Sequence, residues 1–281
     1  DAFAKLKSLL PTEEEKLPFS FFGGAIGYFG YETAFYHEKI GTMLKDDLQM
    51  PDIHVLFYDT FIVVDHLLQK GITHEQLVQR VNDIEKQLAM PVFTQSDHDT
   101  DTIQFHSTIE KEDFCQMVIQ GKKHIEQGDI FQVVLSQRFE ADFTGNPMNL
   151  YRRLRTANPS PYMFYMDFGD YVILGTSPES LVKVKGRMAT TNPIAGTRRR
   201  GKSTEEDLAL EKELLQDEKE LAEHRMLVDL GRNDIGKLSK IGTVKLPKYM
   251  NIERYKYVRH IVSEVTGELK DDIHPLDVLS T

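Results

Sequence analysis

Residues Tyr255 to Thr266 read YKYVRHIVSEVT, an alternation of period two that places Val258, His260 and Val262 on one face of a strand. The segments before it decide what sheet that strand joins. A long helix is expected from about Glu205 to Leu227, capped by Ser203 or Thr204, with Leu210, Leu214 and Leu221 on its apolar stripe and a strongly acidic opposite side. Strands are expected at Met163 to Phe168, Tyr171 to Leu174 and Leu181 to Val184. Strand and helix do not alternate strictly, so the expected class is α+β: a sandwich of largely antiparallel sheets with flanking helices, not a Rossmann fold.

Further upstream, Ile130 to Glu140, IFQVVLSQRFE, reads as a strand with Phe131, Val133, Leu135 and Phe139 on a core face. Gln132, Ser136 and Arg138 share the other face, which either lines a wet cavity or meets solvent. A helix carrying Phe114, Val118, Gly121 and Ile125 precedes it, opened by the capping-box spacing of Ser107 and Glu110 and closed at Gly128-Asp129. Pro91 to Thr102 is polar and aperiodic, a linker that divides the chain into 1–95 and 103–281. Before it lie a helix with Leu77, Val81, Ile84 and Leu88 behind a Thr73/Gln76 cap, a hairpin over Ile53 to His66 bent at Asp59-Thr60, and a glycine-rich strand and turn over Phe19 to Tyr31.

Composition narrows the function. The 281 residues are 40% hydrophobic, enough for a substantial core, and 34 basic against 44 acidic residues leave a net charge of −10, which argues against nucleic acid as a partner. Arg198-Arg199-Arg200 reads as a solvated loop. One cysteine, Cys115, excludes an intramolecular disulfide and multi-cysteine metal sites and fits a reducing cytoplasm. No apolar run reaches membrane-spanning length. The chain starts without methionine and stops at Leu279-Ser280-Thr281, so it is expected to be a piece of a longer protein.

Several constellations can carry chemistry. Glu220 and Glu223 share a helix face and offer hard oxygen ligands suited to magnesium, although acidic helix faces are ordinarily only solvated. His224 lacks the first histidine of an H-E-x-x-H zinc motif. His260 is either a general acid or a satisfied core histidine. NPIAGT, Asn192 to Thr197, offers the Gly196 peptide N–H and the Thr197 hydroxyl to an anion, or forms a plain turn. NPSPYMF, Asn158 to Phe164, makes a rigid rim for a ligand or a structural loop. Gly231 to Asp234, GRND, reads as a helix stop.

In order along the chain, GDIFQVVLSQRF, NPSPYMFYM, GTSPESLV, NPIAGTRRRG, DEKELAEHRMLVDLGRNDIG and YVRHIVSEVTGEL jointly resemble the chorismate-utilising enzymes, and in particular the component I anthranilate synthases. FFGGAIGYFGYET extends the resemblance into the amino-terminal region, so 1–95 is identified with the remainder of that region and 103–281 with the first part of the chorismate-binding region. The resemblance implies an α+β sandwich that converts chorismate and ammonia, supplied by a glutamine amidotransferase subunit (component II), to anthranilate and pyruvate in tryptophan biosynthesis, with Mg2+ as cofactor. It implies Gly196 and Thr197 as substrate contacts, Glu223 as a magnesium ligand, Glu220 as a supporting acid, and His260, Thr197, Glu220 and Gln132 as catalytic positions.

Two positions separate the subfamilies. Aminodeoxychorismate synthases, the runner-up, carry a lysine nucleophile in P-I-K-G-T where this chain has Ala195, and isochorismate synthases carry a lysine base where it has Gln132. NPSPYMF is similar to a tryptophan feedback site and implies Pro161, Tyr162 and Met163 as an inhibitor pocket, although no L-L-E-S-like motif precedes Phe19. The family continues beyond LST with a segment similar to F-P-A-G-T-x-S-G-A-P-K and a second magnesium glutamate. The polypeptide alone is therefore expected to be inactive, and a non-catalytic ligand-binding fragment is the third alternative.

Overall fold

A computed structural model describes residues 2–10, 23–39, 41, 45–58, 60–65, 70–74, 86 and 103–281. The chain divides into two compact units, Asp1–Pro91 with Asn158–Thr281, and Val92–Ala157. All strand pairings among the described residues are antiparallel, and helices accompany them, as the α+β reading expects. Among the described residues no helix is long and apolar enough to cross a membrane. The expected helix over Leu77 to Leu88 and the linker at Pro91 to Thr102 lie outside the described residues.

The amino-terminal part opens with α1 (Ala2–Leu9), which buries Phe3 and Leu6. Strand β1 (Gly24–Phe29) pairs with β2 (Ile53–Tyr58), and β3 (Phe61–Asp65) pairs with β4 (Lys70–His74). Ile53 to His66 is therefore not a hairpin closed on itself. Its two β-branched runs are both strands, but each takes a different neighbour, a choice that residue type does not encode. Thr73, expected in a helix cap, sits in β4.

In the unit Val92–Ala157, β5 (His106–Ser107) is followed by α2 (Lys111–Gln127), which ends at Gly128 in the left-handed conformation with φ 81°. The cap position is Glu110, not Ser107, because β5 draws Ser107 into its ladder and its hydroxyl bonds Ile109 and Gln137. The strand expected over Ile130 to Glu140 shrinks to β6 (Phe139–Glu140). The rest lies outside any ladder of the described residues, with Phe131 88% and Val134 85% exposed. Alternation supplies two faces for a strand but not the neighbouring strand that its peptide groups need. Helix α3 (Pro147–Ala157) closes this unit.

The chain then returns to the first unit with the hairpin β7 (Tyr162–Asp167) and β8 (Val172–Ser177), whose turn docks on β1–β2. The Tyr171 hydroxyl meets Tyr28 Oη at 2.9 Å and His54 Nδ1 at 2.5 Å, and the Phe168 ring lies 4.2 Å from the His54 ring. Strands β9 (Lys183–Lys185), β10 (Met188–Thr191) and β11 (Ile194–Arg199) lead to two helices, α4 (Thr204–Leu214) and α5 (Glu218–Leu238). The single long helix of the sequence reading is thus broken at Leu215–Asp217. Ser203 caps α4 by accepting from the Glu206 amide, and Asp217 caps α5 by accepting from the amides of Lys219 and Glu220. The D-x-x-E spacing of Asp217 and Glu220 is the signal that marks this second start. Helix α5 also runs through Gly231 to Asp234 instead of stopping there. Gly231 is small for packing, since a Cβ on it would lie 3.0 Å from Thr191 Cγ2.

Finally β12 (Lys245–Arg254) and β13 (Val258–Glu268) complete a five-stranded sheet in which β13 pairs with three strands. Strand β12 runs along one edge, while β11 and then β10 follow one another along the other. The interruption between them falls at Asn192-Pro193, where proline cannot donate to a ladder. Helices α4 and α5 cover one face. Ile261 packs with Leu214 and Leu221, and Val265 with Val228 and Ile235. Ser263 takes a bond from that side too, with His224 Nε2 2.6 Å from its hydroxyl.

The arginine triplet is not a solvated loop. Arg198 pairs with Glu213 and Asp217 at 3.0 and 2.7 Å, Arg199 with Glu206 at 2.6 Å, and Arg200 with Asp207 at 3.0 Å. Arg259 of β13, fully buried, meets Asp207 and lies 3.1 Å from Glu211. The acidic side of α4 is thereby neutralised against the sheet. Arg200 foremost, then the Gly201 amide and Arg259, hold the Asp207 carboxyl well below the usual carboxylate range despite the opposing effect of burial. A carboxyl depressed in the folded state contributes stability above its unfolded value of about 4 and loses it as pH falls through the folded value. Asp207→Asn is therefore expected to lower the urea midpoint at pH 7 and to flatten the decline of that midpoint below about pH 4, followed by far-ultraviolet circular dichroism.

Candidate active site

Three strands place three side chains in one row. In the antiparallel register Thr197 of β11 and Glu253 of β12 both lie directly opposite His260 of β13. Side chains opposite one another in such a ladder share a face, with Cβ atoms about 5 Å apart. Strand alternation turns Arg259, Ile261, Ser263 and Val265 toward α4 and α5 and leaves His260 and Val262 on the other face, as the sequence pattern expects. His260 is thus a partly exposed residue on the face away from the helix layer and not a sealed core histidine.

His260 Nδ1 lies 3.0 Å from Thr197 Oγ1 and 3.3 Å from the Gly196 carbonyl. The Gly196 carbonyl can only accept, whereas the Thr197 hydroxyl can donate to or accept from Nδ1, so both groups hold this edge of the ring. The Tyr255 ring stands 5.5 Å from the imidazole at 61°, and its hydroxyl donates to Glu253 at 2.9 Å. Burial, then the Glu253 carboxylate, pushes the Tyr255 phenol up to about 12, so it stays a donor at every physiological pH. Neither Glu253 nor Tyr255 stands out in the sequence, because each gains significance only from its register with His260.

NPIAGT is not a plain turn. The register shifts between Ala195 and Thr197, and Gly196 forms the bulge with φ 70°. A Cβ there would lie 3.1 Å from both Leu214 and Ile261 and 3.4 Å from Glu220 Oε2. Glu220 therefore comes up beside the bulge from the helix layer. Its other oxygen lies 3.5 Å from Arg198 Nη1, whose guanidinium also donates to the Thr197 carbonyl at 3.0 Å. Arg198, read as a loop residue, instead joins the carboxylate helix to the strand that carries Gly196 and Thr197.

Glu223 is partly exposed one turn further along α5. Among the described residues no group of three or more His, Cys, Asp and Glu side chains is placed to hold a metal. Magnesium does not require such a cage. It is usually held by one or two protein carboxylates, with water and substrate filling the octahedron, so Glu223 with Glu220 beside it fits the ion in kind and number. The adjacent His224 is no ligand. It is fully buried, bound to Ser263, and burial lowers its imidazole below the usual value.

Pro161, Tyr162 and Met163 lie exposed at the start of β7, with Tyr162 opposite Ser177 and Met163 opposite Thr176. Asn158 braces the rim by donating to Thr176 Oγ1 at 3.3 Å. Gln132 lies in the unit Val92–Ala157, exposed on the segment before β6. Gly196→Ala should destabilise the protein by about 1–2 kcal/mol, the cost of a side chain in the left-handed region. Urea unfolding measures it, and an unchanged midpoint would mean that the bulge relaxes freely.

A family model described as chorismate binding enzyme matches residues 1–281. Anthranilate synthase component 1 of Acetivibrio thermocellus is 46% identical over 279 residues, covering 92% of this chain and 56% of that protein. Its counterpart in Lactococcus lactis is 44% identical over 280 residues, covering 95% and 61%. Among solved structures, anthranilate synthase component I of Streptococcus pneumoniae superposes with a TM-score of 0.88 at 42% identity, over 98% of this chain and 63% of that one. The chain spans about three-fifths of the length of these relatives.

Proposed function

Because the chain belongs to the chorismate binding enzyme family, we propose that the protein containing it is anthranilate synthase component I, forming anthranilate, pyruvate and water from chorismate and ammonia. The observation that carries this reading is the bonding of His260 to Thr197 and to the Gly196 bulge, with Ala195 immediately before it. Thr197 and Gly196 orient the imidazole and offer a hydroxyl and a peptide N–H to the substrate. His260, protonated at both nitrogens, delivers its Nε2 proton to the C4 oxygen of chorismate as that group leaves as water. Ammonia adds at C2, and loss of pyruvate aromatises the ring.

Glu223 would hold Mg2+ and Glu220 would support it, and the bound ion would supply charge neutralisation at the substrate carboxylate. Ala195 removes the amine nucleophile of the aminodeoxychorismate synthases, and Gln132 offers no basic amine to activate water, so ammonia is the fitting nucleophile. A glutamine amidotransferase subunit is the proposed ammonia source. Pro161, Tyr162 and Met163 are proposed as the rim that binds tryptophan as feedback inhibitor, and the lone Cys115 fits the reducing cytoplasm.

The full-length protein, given chorismate, magnesium and ammonium, should yield anthranilate with equimolar pyruvate, read by fluorescence and chromatography. Aminodeoxychorismate or isochorismate as product would refute the subfamily reading. The 281-residue chain alone is expected to show no turnover. Glu223→Gln should weaken magnesium binding, measured by calorimetry, by more than the roughly 10–100-fold that loss of an outer-shell partner costs. An unaltered titration would remove Glu223 from the site.

A further inference from the structure

We propose that His224 is a positioning residue whose bond to Ser263 fixes the helix carrying Glu220 and Glu223 relative to the strand carrying Gly196 and Thr197; this rests on the reading of Glu223 as a magnesium ligand. Helix α5 buries Leu221, His224, Val228, Gly231 and Ile235, and His224 is the one polar side chain in that stripe. Leu221 packs with Ile261 and Val228 with Val265, so His224 meets Ser263 between two apolar contacts. Apolar contacts are non-directional and tolerate some sliding and rotation of the helix. A 2.6 Å hydrogen bond between two fully buried side chains tolerates little of either.

Ser263 is itself fixed from three further directions. Its hydroxyl accepts from the Met250 amide at 2.9 Å, its own amide donates to the Pro193 carbonyl at 3.1 Å, and its carbonyl accepts from Asn192 Nδ2 at 3.4 Å. Met250 stands where the register of β12 shifts, at φ 54°, a conformation that a residue with a side chain seldom adopts. Asn192 and Pro193 open the run that continues into Gly196 and Thr197. The serine therefore ties the bulge of β12 to the entry of β11, and His224 hangs α5 on that node. Glu223 is the preceding residue and Glu220 lies one turn earlier, so any slide or rotation of this stretch of helix carries both carboxylates with it. The other imidazole nitrogen, Nδ1, is buried with no hydrogen-bond partner among the described residues, a cost that an apolar side chain would avoid. Packing alone does not account for a histidine in this stripe.

Two substitutions separate the bond from the packing. Asparagine places its amide where Nδ1 lies and falls short of Ser263, whereas glutamine carries its amide nitrogen to the Nε2 position. In the full-length protein His224→Asn should weaken binding of Mg2+, titrated alone by calorimetry, about tenfold, the low end of what loss of an outer-shell partner costs. His224→Gln should restore most of that affinity. Ser263→Ala removes only the hydroxyl, so it reads the same contact even should His224→Asn fail to fold, and its loss should match. The double variant should bind no more weakly than either single one, because both remove one interaction. Equal losses in His224→Asn and His224→Gln, additive losses in the double variant, or an unchanged titration in His224→Asn and Ser263→Ala would each overturn the proposal. In that last case Glu223→Gln tells the two readings apart: weakened binding there keeps Glu223 as a ligand and removes only the positioning role, and unchanged binding removes both.

Discussion

Strand β13 has hydrogen-bonded neighbours along both edges and a helix layer on one face, and the candidate site depends on that crowding. Its burial alternates along the strand except at Val262. Arg259, Ile261, Ser263 and Val265 are fully buried, and Val262 on the opposite face is nearly so. A strand held this tightly cannot slip by one residue without exchanging its two faces, which would send His260 into the helix layer and Ile261 out of it. Rigid register is what lets a threonine, a histidine and a glutamate distant in sequence stand in one row.

The one irregularity in that register falls at the site. Gly196 takes up a residue that does not pair one-to-one and bends β11 where Glu220 approaches from α5. Without a side chain at that position, groups on the two faces of the sheet approach across a backbone thickness. Arg198 then spans the same gap electrostatically, touching Glu220 and the Thr197 carbonyl with one guanidinium. The bulge and the arginine together connect the strand that bonds His260 on one face to the carboxylates on the other.

The helix layer itself is docked by charge as well as by apolar contact. Burying the Arg259 guanidinium would be costly in isolation, and the carboxylates of Asp207 and Glu211 offset that cost only in this one orientation of α4. An acidic helix face and a basic triplet that each look like solvated surface in sequence are the two halves of one ion-pair network, buried at Arg259 and partly exposed at Arg199, Arg200 and Glu213. Because α5 starts immediately after α4, at the Asp217 cap, the position of α4 also sets where Glu220 and Glu223 begin.

What the amino-acid sequence determined by itself was local: the period-two pattern of β13 and the face of His260, the Ser203 cap, the glycine that ends α2, the strands around β7 and β8, and the motif order that marks the family. These follow from neighbours within a few residues, where backbone preference and side-chain spacing act directly. Partners were decided by tertiary structure. It made two strands of Ile53 to His66 pair elsewhere, left most of Ile130 to Glu140 outside any strand ladder of the described residues, split one expected helix into two, and turned Arg198 to Arg200 from surface into network. Glu253 and Tyr255 belong to the same class. Hydrogen-bonded register and charge pairing are relations between residues far apart in the chain, and no pattern read along a single segment contains them.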